Sequence, residues 1–276
     1  MVIYNETLTE NSEVVEEGCF QCREDERIDD LQLNGLRIIQ NPNWFCFGID
    51  AVLLSHFIKL KKNEIAVEFG TGTGIIPILL SGKAEFSKIY AFEVQNEVSD
   101  MARRSVQMNH LEEKIEIIND NLIHANRYFE KGKVDVVFSN PPYMSGNGGI
   151  KNDFIQKSIS RHEVLCTLED IIAKASELLK FRGKFYMIHR PSRLVDIMVL
   201  CRKYKLEPKE IRMIQPYHDK KPNIFLIMCS KGGQADLKFH DPLIVYNKTG
   251  GFTEEIYRIY KEENITVFES TQNDVT

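Results

Sequence analysis

The apolar run Val134-Asp135-Val136-Val137-Phe138-Ser139 stops at Asn140-Pro141-Pro142-Tyr143. The run is short and β-branched, and two prolines cannot continue a central ladder. It therefore predicts a buried strand that ends where the tetrapeptide begins. Such a strand delivers an amide, a rigid turn and an aromatic ring to the carboxyl edge of a sheet. In open α/β sheets that edge is where ligands bind.

The rest of the chain supplies the sheet. Ile65-Ala66-Val67-Glu68-Phe69 reads as a buried strand running through Gly70-Thr71-Gly72-Thr73-Gly74 into an apolar helix, Ile75–Leu80. Ile89–Glu93 is a second strand, Glu97–Asn109 a helix, and Ile115–Ile118 a third strand followed by Asn119-Asp120-Asn121. After the tetrapeptide, Thr167-Leu168-Glu169-Asp170 is a capping box opening a helix to about Leu179. Phe181-Arg182-Gly183 reads as a turn into strand Lys184–His189, and a further helix runs to about Tyr204. Strands Lys209–Ile214 and Ile224–Ser230 have no helix between them, which predicts an antiparallel hairpin at the sheet edge. Leu243–Tyr246 and helix Glu254–Tyr260 close the chain. The expected class is α/β: a Rossmann-like seven-stranded sheet, mainly parallel with an antiparallel edge hairpin, helices on both faces.

Upstream, Leu31–Ile39 alternates around Asn34-Gly35, a hairpin signal. Asp50 is placed to cap a helix over Ala51–Leu60. The expected organisation is an acidic tail or extension (1–30), a hairpin and helix packed on the core (31–64), the main domain (65–260) and a frayed end (261–276).

Charge is unevenly distributed. The formal net charge is −5, which argues against a globally basic nucleic-acid binder. Residues 1–30 carry ten acids and two bases, a net −8, whereas residues 141–240 carry eighteen bases and ten acids, a net +8. A basic surplus beside the tetrapeptide suits a phosphate-bearing substrate. No apolar run approaches the roughly 20 residues of a membrane span, and the first residues lack a signal-peptide pattern. The expected location is cytoplasmic. Cys19-Phe20-Gln21-Cys22 has metal spacing, but no second pair of ligands completes it, so no metal is expected.

The glycine turn admits three ligand readings. A Walker loop needs Lys and Ser/Thr after its last glycine, and Ile75 follows Gly74. A dinucleotide turn is G-x-G-x-x-G, whereas this one is G-x-G-x-G, and Glu68 would repel a pyrophosphate. S-adenosyl-L-methionine (SAM) carries an ammonium and a sulfonium and no phosphate, so it is the ligand expected beside Glu68, with Gly70 and Gly72 allowing close backbone approach. Glu93, with Val94 beside it, ends the second strand, where a carboxylate accepts both ribose hydroxyls. Asp120 is placed to accept from the adenine amino group, and the Asn121 N–H to serve the ring nitrogen. Three carboxylates ending three successive strands make one ligand edge.

Asn140 then supplies an acceptor for a planar amine. Its side-chain oxygen and the Pro141 carbonyl can both accept from an exocyclic NH₂, which favours a pyramidal nitrogen and stabilises the developing positive charge. Tyr143 offers a ring for stacking. No metal is needed.

With Val67–Gly74 and Asn140–Tyr143 together, the chain resembles class I SAM-dependent amino-methyltransferases, a class that acts on adenine, guanine or glutamine amines. A narrower resemblance covers about residues 28–260. Phe45-Cys46-Phe47-Gly48-Ile49-Asp50-Ala51-Val52-Leu53-Leu54, Arg161-His162-Glu163, Pro242–Tyr246 and Tyr257-Arg258-Ile259-Tyr260 are similar to the bacterial tRNA1(Val) adenine-N6 methyltransferase family. That resemblance implies methylation of an adenine beside the anticodon of a valine tRNA, and it implies that Asp50 lies near the methionine end of SAM. A protein glutamine-N5 methyltransferase acting on a release factor would explain the same tetrapeptide but leaves the +8 stretch without purpose. A non-catalytic SAM-binding module is the remaining reading. The sequence does not set the oligomeric state.

Overall fold

Strands that bury both faces must alternate between two cores, and the central strands here do so. On β7 (Leu179–His189), Tyr186 and Ile188 join one apolar cluster, and Phe185 and Met187 the other. On β9 (Ile224–Lys231), Ile224, Leu226 and Met228 face the first cluster, and Phe225, Ile227 and Cys229 the second. This two-sided pattern is why these segments read as continuous apolar runs. The computed structural model describes residues 22–44, 46–142 and 166–261. Cys19, Tyr143 and Arg161-His162-Glu163 lie outside the described residues.

Among the described residues the main sheet has eight strands in the order β10-β8-β9-β7-β6-β3-β4-β5. Its parallel half comprises β3 (Ile65–Phe69), β4 (Lys88–Phe92), β5 (Ile115–Ile118), β6 (Val134–Ser139) and β7. β9 runs antiparallel to β7 and to β8 (Leu206–Gln215), and β10 (Lys238–Ile244) pairs parallel to β8. The expected antiparallel pair therefore exists, but β9 is inserted inside β8. The expected Leu243–Tyr246 strand begins earlier, at Lys238, and β10 becomes the outer edge and eighth strand. Phe181-Arg182-Gly183 is not a turn between elements. It lies within β7, where Arg182 takes φ 63° and the β6–β7 register shifts.

On one face of the sheet pack α1 (Ile49–Phe57), α2 (Ile75–Lys83), α3 (Asn96–Met108) and α6 (Glu254–Lys261). On the other pack α4 (Leu168–Leu178) and α5 (Leu194–Lys203). The Thr167 capping box is formed: Thr167 Oγ1 accepts from Asp170 N at 3.1 Å, and Asp170 Oδ2 accepts from Thr167 N at 2.9 Å.

Asn34 and Gly35 both take positive φ (52° and 71°), as the hairpin signal requires. The strands themselves lie farther out than the alternation suggested, at β1 (Arg27–Asp30) and β2 (Arg37–Gln40). Leu31, Leu33 and Leu36 instead line the loop and are buried in the first cluster. The hairpin is tied to α3: Ile39 N donates to Ser105 Oγ at 3.0 Å, and the Arg104 guanidinium binds Glu26 with both its terminal nitrogens. Among the described residues no helix is long and apolar enough to cross a membrane.

Candidate active site

β3, β4, β5 and β6 run parallel, so their carboxyl ends converge on one edge. The glycine turn after β3 is stitched onto the end of β4, with Gly70 N and Thr71 N both donating to Phe92 O, at 3.0 and 2.9 Å. Gly70, Gly72 and Gly74 take φ of +75°, +59° and +85°, a region side chains resist. A Cβ on Gly70 or Gly72 would meet no protein atom within 4 Å. The space above this loop is open to a ligand, and a side chain there would occupy it.

Glu68 is fully buried, and neither carboxyl oxygen has a hydrogen-bond partner among the described residues. Burial pushes its pKa up to about 8; the Thr71 hydroxyl opposes the rise and the nearby Glu93 charge adds to it. A buried acid without donors is unfavourable unless a donor arrives. The cationic amine of SAM is such a donor, and the open glycine cradle lies beside it. The residues present therefore fit this ligand.

Glu93 is buried, and its carboxylate is aimed by backbone amides. Gly72 N donates to Oε2 and Gln95 N to Oε1, each at 3.0 Å. Asn119 Nδ2 donates to the Glu93 carbonyl at 2.8 Å, linking the ends of β4 and β5. Gln95 Nε2 lies 3.5 Å from Oε1 as well, so the carboxylate is held in one orientation, the geometry that paired hydroxyls of a ribose would meet.

Asp120 accepts from Asn121 N (2.7 Å), His124 Nδ1 (2.8 Å) and Tyr128 OH (3.1 Å). The His124 hydrogen bond leads the interactions that hold its carboxyl below the usual range. The Asn121 N–H, expected to meet the adenine ring nitrogen, points at Asp120 Oδ1. The Asn121 side chain caps a 3-10 turn, Leu122–Arg127, by accepting from Ile123 N.

Gly70, Val94, Asp120 and Asn121, all singled out from sequence, line one shallow slot open to solvent, together with Phe92, Leu122 and Cys166. These last three are the residues that sequence reasoning missed. Phe92 and Leu122 carry ordinary core patterns. Cys166 comes from a distant part of the chain, and its thiol, half-buried, is pushed up to about 12 by burial and the nearby Asp170. An apolar-walled slot with a carboxylate at its rim suits an adenine ring.

Asn140 follows directly on β6, half-buried between the buried Ser139 and Pro141. Ser139 Oγ donates to Phe69 O at 2.9 Å, which fixes the start of the tetrapeptide against the start of the glycine turn. The two motifs, 70 residues apart, are thus joined by one buried bond. One strand over, His189 ends β7 almost fully buried. Its Nδ1 accepts from Arg190 N at 2.8 Å, and burial pushes its pKa down to about 4, so it is a neutral ring at physiological pH. Asp50 does not cap α1: Gly48 is the N-cap and Asp50 stands half-buried in the first turn. It does not line the slot. Among the described residues no three His, Cys, Asp or Glu side chains converge as a metal site would require.

The family described as "Methyltransferase small domain" matches residues 35–197. A tRNA1(Val) (adenine(37)-N6)-methyltransferase of Porphyromonas gingivalis is 25% identical over 232 residues, covering 80% of this chain and 89% of that protein. A protein of the same name from Pedobacter heparinus is 24% identical over 216 residues, covering 77% and 88%. Among solved structures, a predicted O-methyltransferase from Agrobacterium tumefaciens superposes with a TM-score of 0.63 at 21% identity, covering 76% of this chain and 95% of that one. The M. jannaschii TYW2 structure in complex with AdoMet gives a TM-score of 0.52 at 18% identity, covering 76% and 87%. These likenesses establish the fold of the sheet described above.

Proposed function

The chain belongs to the methyltransferase small domain family and is a SAM-dependent methyltransferase; on that premise we propose that its acceptor is the N6 amine of an adenine in RNA, specifically tRNA. The observation that carries the reading is the position of Asn140. It stands at the carboxyl end of β6, bonded through Ser139 to the glycine turn, with Pro141 and Pro142 fixing the chain behind it. SAM, when bound, supplies an electrophilic methyl group. Glu68 would hold its ammonium, Glu93 its ribose hydroxyls, and the slot of Phe92, Val94, Asp120, Asn121 and Leu122 its adenine. Asp50, at the start of α1, would lie near the methionine end.

The Asn140 side-chain oxygen and the Pro141 carbonyl would accept the two N–H bonds of the target amine. This turns the nitrogen lone pair toward the methyl group and stabilises the positive charge that grows on nitrogen as the C–N bond forms. Tyr143 would stack on the target ring. An adenine held this way must first leave its own stack, and an unpaired loop adenine does so at least cost. Two observations support RNA over a protein amine: the +8 charge of residues 141–240 and the names of the relatives matched over most of their length.

The test supplies SAM with tRNA, with duplex DNA and with a release factor, and identifies the methylated product by mass spectrometry. N6-methyladenosine in tRNA is expected. Methylated DNA alone, or N5-methylglutamine alone, would overturn the assignment.

A further inference from the structure

The far half of the same sheet edge carries a feature that the cofactor site does not use. Four aromatic rings form a column, Tyr217–Tyr246–Phe252–Tyr260, with successive centroids 5.4, 5.5 and 5.8 Å apart. The last two steps are near-parallel stacks, with interplanar angles of 15° and 20°. Tyr260 is the inner end, packed against the apolar core. Tyr217 is the outer end and is 37% exposed. Its backbone is fixed where it meets the column, because Tyr246 N donates to Pro216 O at 2.9 Å and Val245 N to Gln215 O at 2.9 Å.

Topology places that end beside the active site. β9 is antiparallel to both β7 and β8, so β8 runs in the direction of β6. Tyr217, just past the carboxyl end of β8, is therefore on the edge that carries Asn140. Ser139 on β6 is level with Met187, Ile227 and Ile211 on successive strands. Tyr217 lies well beyond Ile211 along β8 and so overhangs the edge. Sideways, three strand spacings separate the two strands, about 14 Å.

Charge accompanies the ring. The exposed turn after Tyr217 carries His218, Lys220 and Lys221 against one acid, Asp219, which pairs with Lys220 at 3.7 Å. Lys221 and Lys248 are exposed and make no ion pair with a described residue, and the exposed Arg190 follows β7 at the same edge. An exposed aromatic face among cations, on the rim of a site that receives a base, is the composition of a single-stranded nucleic-acid groove.

We infer that Tyr217 is a stacking platform for a base two or more nucleotides away from the methylated adenine on the same strand, with Lys220 and Lys221 contacting the adjoining phosphates. This rests on the RNA reading above and specifies the path of the strand: from the Asn140 turn outward over β7, β9 and β8, away from SAM.

The test measures steady-state methylation of tRNA, SAM affinity by calorimetry, and tRNA affinity by filter binding against salt. Tyr217→Leu keeps the apolar contact with Tyr246 and removes the ring. It should raise KM for tRNA about 10-fold, the scale of one base–aromatic stack, with kcat and SAM affinity unchanged. Tyr217→Phe should restore KM. Lys220→Ala with Lys221→Ala, both on an exposed turn and independent of the core, should reduce the salt slope of tRNA binding by about 1.4. If wild type methylates tRNA but KM and salt slope stay unchanged in these variants, the platform is refuted and the RNA reading stands. If wild type transfers no methyl group to any RNA, both fail.

Discussion

At the scale of single residues the active site is arranged around what three carboxylates lack or already hold. Glu68 makes no well-formed hydrogen bond with a described residue, and burial pushes its pKa up to about 8, so it is largely protonated at pH 7 in the free protein. An arriving ammonium favours the ionised form. Binding of SAM at pH 7 should therefore release a proton, visible in calorimetry as a binding enthalpy that changes with buffer ionisation heat. Glu68→Gln should abolish that buffer dependence and weaken SAM roughly 10- to 100-fold, since hydrogen bonds to charged groups contribute about 1.5–3 kcal/mol. A buffer-independent wild-type enthalpy would count against the role given to Glu68. The same residue sets a pH trend in the ligand-free protein. Its folded pKa lies above the ordinary value of 4.5, so between pH 4.5 and about 8 the folded state binds more protons than the unfolded state. Stability must then fall as pH rises through that window. Urea midpoints at pH 5 and pH 8 check this, and the Glu68→Gln variant should lose that part of the slope. Glu93 behaves differently, since two amides already orient it. Glu93→Ala should weaken SAM by a similar factor and loosen the glycine turn, whose Gly72 amide would lose its acceptor.

At the scale of elements, the β1–β2 hairpin shows how a local signal and a tertiary contact divide the work. Asn34-Gly35 sets the turn, but the strands form farther out because Leu31, Leu33 and Leu36 are drawn into the core instead of pairing. Alternation alone did not distinguish a strand side chain from a loop side chain that happens to be buried. What anchors the hairpin is the Arg104–Glu26 pair, with side chains 14% and 5% exposed. Burial raises the Glu26 pKa, but the Arg104 and Arg23 contacts outweigh it and hold the carboxyl below 4.5. Its stabilisation is therefore present above pH 4.5 and lost as pH falls through the folded value. Arg104→Ala should lower unfolding free energy by about 1.5–3 kcal/mol at pH 7, with a smaller loss in acid, measured by urea titration. An equal loss at pH 3 and pH 7 would argue that packing, not charge, holds the hairpin. The antiparallel β8–β9 pair was legible from the missing helix between them. Its insertion of β9 next to β7 was not, because strand order depends on which edge the core leaves open, not on local spacing.

At the scale of the whole molecule, the sheet edge is divided between two tasks. The ends of β3, β4 and β5 carry the carboxylates, glycines and slot proposed to hold the cofactor, and the ends of β7, β8 and β10 carry cations and rings. That the strand-end carboxylates and the glycine turn share one edge was readable in sequence, since they follow successive parallel strands. Gly70, Val94 and Asp120 line one slot, and Glu93 accepts from Gly72 N in the adjoining turn. Less readable were Cys166, brought to the slot from across the chain, and the Ser139–Phe69 bond that joins the two motifs. Both depend on strand register, which sequence pattern does not encode. Asp50 was misjudged as a cap because Gly48, an extended residue without a side chain, takes that position. The central claim is that the Asn140 turn presents an adenine amine of RNA to the methyl donor. Its most direct measurement incubates isotopically labelled SAM with fractionated cellular RNA, for wild type and Asn140→Ala, and identifies the labelled nucleoside. N6-methyladenosine is expected in the tRNA fraction, with a loss of at least about 100-fold in Asn140→Ala, as for removal of one transition-state hydrogen-bond partner, and unchanged SAM binding. Label on a different nucleoside, or full activity in Asn140→Ala, would contradict it.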